Sequence, residues 1–147
     1  PRGLMNAIPY GQHITIENAT SGHTLSASGQ RLISIPASTD NGTTFKIIDV
    51  KNGRVALQHV HSGGFVTVSG LGNAAKISLQ KSRAGDRQAV QWTETIHGDI
   101  MLLSVSGHRN LQVLPDGNVS IVAEGTTHDN KNGARLRIKH VGDGTDA

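Results

Sequence analysis

The feature that most constrains this sequence is a pattern that occurs three times along it. An alternating apolar pair stands at Phe45-x-Ile47, at Val90-x-Trp92 and at Leu136-x-Ile138, with a period of about 45 residues. In the first two copies a glycine follows at the same distance, at Gly53 and at Gly98. Self-similarity at a fixed period marks a repeated structural unit. We therefore expect a fold built from three similar units.

Further apolar pairs follow each glycine at matching distances along the sequence. Val55-x-Leu57 aligns with Met101-x-Leu103, and Phe65-Val-Thr-Val68 aligns with Leu111-Gln-Val113. The pairs that complete the three copies are Ile14-x-Ile16, Leu25-x-Ala27, Ile33-x-Ile35, Ile77-x-Leu79 and Val119-x-Ile121. Such alternation predicts strands with one buried face, and glycine-bearing turns separate them. The sequence thus predicts an all-β fold of about twelve strands in three four-stranded repeats.

Three such repeats can close into a six-stranded barrel capped by three hairpins, which removes exposed strand edges. The Phe45, Val90 and Leu136 series, the segments "LQHVHSGGFVTV" and "LLSVSGHRNLQV" and the turn "DGNVSI" resemble the β-trefoil superfamily. They are similar in particular to its fascin-like branch, with the ricin-type carbohydrate-binding modules as relatives. The resemblance covers nearly the whole chain and implies a β-trefoil with pseudo-threefold symmetry.

One departure from the ricin-type pattern limits what the resemblance implies. That family has Gln-x-Trp near the end of each repeat, whereas this chain has only Val90-Gln91-Trp92, with the register shifted by one residue. The family's sugar-contact residues are therefore not transferred to this chain.

The repeat predicts a core and three regions of the chain. The residues predicted to be buried are Ile16, Phe45, Ile47, Leu57, Val68, Val90, Trp92, Leu103, Val113, Leu136 and Ile138. The β-trefoil domain is predicted over residues 12–141, and residues 142–147 are predicted to be a disordered tail. Residues 1–11 are interpreted as a leader, with two alternatives. They form a strap across the barrel bottom on which Leu4, Met5, Ile8 and Tyr10 pack, or they are the remnant of a linker.

Composition excludes several classes of function. The chain has no cysteine, so it can form neither a disulfide nor a thiolate zinc site. The 14 Lys and Arg residues are scattered, unlike the concentrated patch of a nucleic-acid binder. No apolar run approaches the roughly 20 residues of a membrane span. The sequence predicts binding to neither nucleic acid nor membrane.

Enzyme signatures are also scarce. There is no P-loop, no Gly-x-Ser-x-Gly and no His-Glu-x-x-His, and most carboxylates stand in predicted turns. The segment "GLGNAA" at 70–75 lacks the last glycine of a dinucleotide fingerprint. We predict a domain without catalytic activity and without a cofactor.

His59-x-His61 is the one metal-like feature of the sequence. Residues two apart on a strand project to the same face, where two imidazoles can hold zinc or copper. Two ligands do not complete a zinc site, so we interpret the pair as hydrogen-bonding histidines and predict no bound metal.

Carbohydrate binding fits the polar loops. A saccharide site needs planar donors and acceptors for hydroxyl groups and an apolar surface for the C–H face of the sugar. The candidate contact residues are His108, Arg109, Asn110, Asp116 and Asn118 in the third copy, and His61 and Phe65 in the second. One interpretation is that the two third-copy loops converge on one ligand; the alternative is that Asp116-Gly117-Asn118 is an ordinary hairpin turn and Arg109 a solvated charge. Aromatic residues are only 3% of the chain, which weighs against a strong lectin.

These observations lead to two hypotheses of function. The first is a noncatalytic carbohydrate-binding module for an oligo- or polysaccharide, acting as an accessory to an upstream catalytic domain of a secreted, polysaccharide-degrading enzyme. The second is a protein-interaction β-trefoil, either a protease inhibitor or a cytoskeleton-binding module like the fascins. The fold does not decide between them, because function on such a scaffold is carried by its loops.

Overall fold

The computed structural model describes residues 8–124 and 133–141, which form strands joined by turns. The strands are β1 (His13–Asn18), β2 (Thr24–Ser28), β3 (Arg31–Ile35), β4 (Phe45–Asp49), β5 (Arg54–His59), β6 (Phe65–Ser69), β7 (Lys76–Gln80), β8 (Ala89–Glu94), β9 (Ile100–Ser104), β10 (Asn110–Val113), β11 (Val119–Ala123) and β12 (Leu136–His140). The helical segments within these ranges are two short 3₁₀ turns, Gly72–Ala74 and Asp86–Gln88. The all-β prediction is confirmed.

Six of the strands close into a barrel. Antiparallel pairs join β1 to β4, β4 to β5, β5 to β8, β8 to β9, β9 to β12 and β12 back to β1. The remaining strands form the hairpins β2–β3, β6–β7 and β10–β11. Because every barrel strand has a partner on both sides, the barrel has no unpaired edge. This six-stranded barrel with three hairpins is the β-trefoil arrangement that the repeat predicts.

The core is built from three equivalent cross-strand pairs. Ile14 lies opposite Phe45, Val55 opposite Val90, and Ile100 opposite Leu136. All six side chains are buried, and they form one apolar cluster with Ile16, Leu57 and Leu102. The first residue of each recurring sequence pair, Phe45, Val90 or Leu136, therefore lies where the three repeats meet.

Backbone hydrogen bonds join each hairpin to the next repeat. The amide of Leu79 donates to the carbonyl of Gln30 at 2.8 Å, and the amide of Ser34 donates to the carbonyl of Gly117 at 3.0 Å. Between the second and third repeats, the amide of Gly72 donates to the carbonyl of Gly107 at 3.1 Å. These bonds set the relative positions of loops that are far apart in sequence.

The predicted register of the third repeat is wrong by one residue. Leu57 lies opposite Ile47, and the equivalent residue opposite Trp92 is Leu102 rather than Leu103. Successive side chains of a strand point to opposite faces, so a shift of one residue reverses the buried face. Leu102 accordingly fills the barrel, while Leu103 is half-buried on the outside.

The shift also affects the hairpins. The core equivalent of Leu111 is Val66, so Phe65 is left on the outer face of β6. In β3 the buried residues are Leu32 and Ser34, while Ile33 and Ile35 are only half-buried.

Trp92 and Ile138 are half-buried, whereas their equivalent, Ile47, is fully enclosed. The cause is the segment before β1. The amide of Gly11 donates to the carbonyl of Ile47 at 2.7 Å, and the amide of Ile47 donates to the carbonyl of Gln12 at 3.3 Å. Gly11 and Gln12 therefore cover Ile47, while Ile8, Pro9 and Gln12 also line a cavity beside Trp92 and Ile138.

The strap hypothesis can be compared with the structure only in part. Ile8 packs against the core, as that hypothesis requires, but Tyr10 is 39% exposed. Leu4 and Met5 lie outside the described residues, as does the predicted tail at 142–147.

Replacing Phe45 by alanine tests the core. Phe45 is fully enclosed at the meeting point of the repeats, so Phe45→Ala should lower the free energy of unfolding by about 3 to 5 kcal/mol in urea denaturation. The control is Ile96→Ala, because Ile96 is 83% exposed and its loss should change stability by less than about 0.5 kcal/mol. Equal stabilities of the two variants would contradict this description of the core.

Candidate functional site

Each repeat passes from the barrel to its hairpin through a loop of the same geometry, at residues 18–23, 59–64 and 104–109. In each loop the first amide donates to the last carbonyl, at 2.7, 2.7 and 2.8 Å respectively. One residue of each loop has a left-handed backbone: Gly22, Gly63 and His108. The three loops thus present equivalent positions that differ in their side chains.

The third-repeat loop holds the predicted contact residues His108 and Arg109, and Asn110 follows as the first residue of β10. The guanidinium of Arg109 is 3.9 Å from the carboxylate of Glu124, and it donates to the carbonyl of His108 at 3.3 Å. Asn110 is buried and donates to the carbonyl of Ala123 at 3.3 Å. His108 is exposed, with φ at +62° where the other repeats have glycine.

Asp116 and Asn118 form the turn that follows β10. The carboxylate of Asp116 accepts from the amide of Asn118 at 3.0 Å, which is the ordinary chemistry of an aspartate in a turn. His108 precedes β10, so the two loops lie at opposite ends of that strand. The predicted convergence on one ligand therefore requires a ligand that reaches both ends of a strand of about four residues, roughly 13 Å apart.

In the second repeat, the loop residue His59 is a structural group. Its Nε2 is 2.9 Å from the carbonyl of Asn41, and its Nδ1 is 2.8 Å from the hydroxyl of Ser62. Because a carbonyl can only accept, Nε2 carries the proton and Nδ1 accepts from Ser62. The ring also packs against Phe45, with 5.3 Å between ring centroids.

His61 is exposed in the same loop, edge-on to the His59 ring at 6.4 Å between centroids. Both nitrogens of His59 are engaged, so the pair cannot act as two metal ligands without breaking those bonds. Across the described ranges, no group of three or more His, Cys, Asp or Glu side chains is placed to hold a metal ion.

Phe65 differs from the other candidates because it has an apolar aromatic ring, and it is half-buried at the start of β6. It lies opposite Gln58 of β5 and opposite Gln80 of β7. The amide of Gln58 donates to the carbonyl of Gly63 at 3.1 Å, and that of Gln80 donates to the hydroxyl of Ser78 at 2.9 Å. A half-buried aromatic ring thus stands between two positioned amides.

A groove of about 490 Å³ adjoins this surface. One wall is the turn of the first hairpin at Gln30, and the other is formed by Ser62, Gln80 and Lys81. The sequence did not identify the three glutamines as candidates, because they come from three different strands or turns. The signal available for Gln58 and Gln80 was their place on the polar side of an alternating strand.

Asp99 is a buried acid at the other end of the barrel, in the turn between β8 and β9. Its carboxylate accepts from Nε and Nη2 of Arg135 at 2.8 and 2.6 Å, and from the hydroxyl of Thr95. Burial acts to raise the pKa of Asp99, but the bonds from Arg135 and Thr95 outweigh it and hold the pKa below its ordinary value. This ionised group fastens the turn to β12.

The described residues define a β-trefoil with three pseudo-equivalent repeats and a half-buried phenylalanine ring flanked by amides. No family model matches the sequence, and no curated protein matches it. Among solved structures, the chain is similar to a designed three-fold symmetric protein, ThreeFoil. The TM-score is 0.76 at 15% identity, over 88% of this chain and 99% of that one. This likeness shows the fold alone.

Within residues 8–124 and 133–141, no helix is long and apolar enough to cross a membrane; the helical segments there are short 3₁₀ turns.

Removing metal ions should leave the protein unchanged. Because His59 is held by Ser62 and Asn41, we expect the melting temperature to be the same with and without EDTA, and zinc analysis of the purified protein to give a substoichiometric value. A fall of several degrees in EDTA would contradict this assignment.

Replacing Asp99 tests the turn that it fastens. Asp99→Asn should lower the free energy of unfolding by about 1 to 3 kcal/mol at pH 7, because it weakens the bonds to Arg135. The native pKa is lowered below 3.8, so the wild-type advantage should be complete above about pH 5 and shrink as the pH falls through the native pKa. Urea denaturation of both proteins at several pH values measures this.

The matched control is Glu124→Gln, since the Glu124 side chain is 72% exposed and its ion pair should contribute less than about 1 kcal/mol. An Asp99→Asn effect that stays constant from pH 7 to pH 3 would show that the charge is not responsible.

Proposed function

We propose that this β-trefoil is a noncatalytic carbohydrate-binding module that uses the surface around Phe65. The observation that carries the proposal is the half-buried Phe65 ring between Gln58 and Gln80, with Gln80 also lining the groove at Gln30. We call this the Phe65 surface, comprising Phe65, Gln58, Gln80, Gln30 and Ser62.

The chemistry of the Phe65 surface suits a saccharide. A pyranose ring has an apolar C–H face that packs on an aromatic ring, and its edge carries hydroxyl groups that both donate and accept. A glutamine amide also offers donors and an acceptor, and Ser62 adds a hydroxyl. The adjoining groove of about 490 Å³ lies within the usual size of small-molecule sites, roughly 300 to 1,000 Å³.

The proposal places one such surface on the chain rather than three. The positions equivalent to Phe65 are occupied by Thr24 and Asn110, and both are buried. Neither repeat therefore presents an aromatic ring at this position. His108, Arg109, Asp116 and Asn118 become secondary candidates, since they do not gather around a stacking face.

The biological setting follows from the same proposal. A module with one shallow sugar site binds weakly, and its use is to raise the local concentration of a linked partner at a polymeric glycan. We propose an upstream catalytic domain of a secreted polysaccharide-degrading enzyme as that partner. The extracellular location is part of this proposal.

The test is a glycan array, followed by titration of the best-binding glycan with wild type and variants. Phe65→Ala should weaken binding by roughly 1 to 3 kcal/mol, and Gln80→Ala should also weaken it, because each removes a contact to the sugar. The control is Leu71→Ala, since Leu71 is 60% exposed and lies outside the groove. Melting temperatures verify that each variant is folded.

Unchanged glycan affinity in both Phe65→Ala and Gln80→Ala would contradict the proposal that the Phe65 surface binds the sugar. Loss of glycan binding in Asp116→Ala instead would indicate that the sugar site lies on the third repeat. An array without any binding glycan, together with inhibition in a protease panel, would favour the protein-interaction alternative, for which Ile96 is an exposed apolar loop residue.

A further inference from the structure

A second cavity, of about 570 Å³, opens at the end of the barrel that lies away from the hairpins. Its apolar wall includes Ile8, Trp92 and Ile138, and its polar lining includes Gln12 and Glu94. The strands run so that Phe65 and the hairpins lie at the other end. This cavity is therefore separate from the Phe65 surface.

Trp92 and Glu94 face the cavity together. They are two residues apart on β8, so their side chains project to the same side of the strand, towards the barrel interior. The equivalent positions hold Ile47 and Asp49 in the first repeat, and Ile138 and His140 in the third. Only the second repeat combines an indole ring with a carboxylate here.

One oxygen of the Glu94 carboxylate lacks a hydrogen-bond donor among the described residues. Its Oε1 atom is shielded from solvent and has no hydrogen-bond partner. Glu94 forms no ion pair with the Lys, Arg and His side chains of the described part of the chain. A buried carboxylate oxygen without a donor is costly, so a donor that enters the cavity gains a strong acceptor.

The other charged groups around the cavity are already paired. Arg137 binds Glu17 through two contacts of 2.6 Å, and Arg135 binds Asp99 at 2.6 Å. His140 lines the cavity without an ion pair to Glu94. Glu94 is thus the carboxylate of this cavity whose charge has no counter-ion in residues 8–124 and 133–141.

We propose that the cavity binds a small organic ammonium ion, a primary amine on a compact apolar body. The ammonium group donates to Oε1 of Glu94 and lies over the face of Trp92, which is the strongest side chain for cation–π contact. The apolar body packs against Ile8 and Ile138. A neutral alcohol of the same shape packs on the same wall and can donate one hydrogen bond to Oε1, but it brings no charge to the carboxylate or to the indole face.

Trp92 allows a direct measurement, because it is the only tryptophan of the chain. The full chain is titrated at pH 7 with cyclohexylammonium chloride and, in parallel, with cyclohexanol, while the indole fluorescence is followed. Sodium chloride keeps the ionic strength equal. We expect a saturable change with the amine and a dissociation constant for cyclohexanol that is roughly tenfold higher or more.

Glu94→Gln keeps the shape of the side chain and removes its charge. We expect this variant to bind cyclohexylammonium roughly tenfold more weakly, with its response to cyclohexanol unchanged. The control Glu124→Gln removes an exposed carboxylate that does not line the cavity, and it should bind the amine as wild type does. Phe65→Ala should also leave amine binding unchanged, which separates this site from the proposed glycan surface.

Trp92→Phe provides a second variant, followed by calorimetry because the fluorophore is lost. It keeps an aromatic ring but weakens the cation–π contact, so amine binding should fall while the protein stays folded. Equal binding of amine and alcohol, or equal amine binding by wild type and Glu94→Gln, would overturn the proposal. So would the absence of any saturable response to the amine.

Discussion

The closure of the barrel between its first and last strands is the constraint on which the rest of the structure depends. β1 pairs with β12 over five residues, from Ile14 opposite His140 to Asn18 opposite Leu136. On the outside, Glu17 is only 3% exposed and accepts from Arg137 at 2.6 Å, with Lys139 at 3.4 Å. Because these partners are over a hundred residues apart, the three repeats stabilise one another only when the first and last strands pair.

Once the barrel is closed, the backbone is nearly threefold while the side chains are not. The loops at 18–23, 59–64 and 104–109 have the same hydrogen bond and the same left-handed position. One of them carries His108 where the others have glycine, and the next strand begins with Thr24, Phe65 or Asn110. Equivalent positions thus provide a common frame, and any difference in binding arises from the residues placed on it.

The same asymmetry distinguishes the two ends of the barrel. At the hairpin end, the polar groups beside Phe65 are the amides of Gln58 and Gln80 and the hydroxyl of Ser62, with Lys81 on the groove wall, and we propose that they bind a saccharide. At the open end, the indole of Trp92 and the unpaired oxygen of Glu94 suit a cation. The segment before β1 bonds to Ile47 through Gly11 and Gln12, and its residues Ile8, Pro9 and Gln12 form one wall of the cavity.

The threefold period, the all-β class and the core pairs at Phe45, Val90 and Leu136 could be read from the sequence alone. Alternation and spacing are local properties of the chain, and they can be recognised without knowing which strands pair. The register of β9 could not be read in this way, because "IMLL" is apolar at every position and does not mark which face is inward. Pairing with β8 decided it by placing Leu102 opposite Trp92.

The candidate sites depended still more on tertiary structure. The sequence identified Phe65 and His61, but it also joined His108 to Asp116, which β10 keeps apart. The neighbours of Phe65 are contributed by β5, β7 and another repeat, and the cavity at Trp92 is lined by the N-terminal segment together with β8 and β12. A local pattern determines which residues alternate along a strand, whereas the groups that meet at a surface are determined by pairing between distant segments.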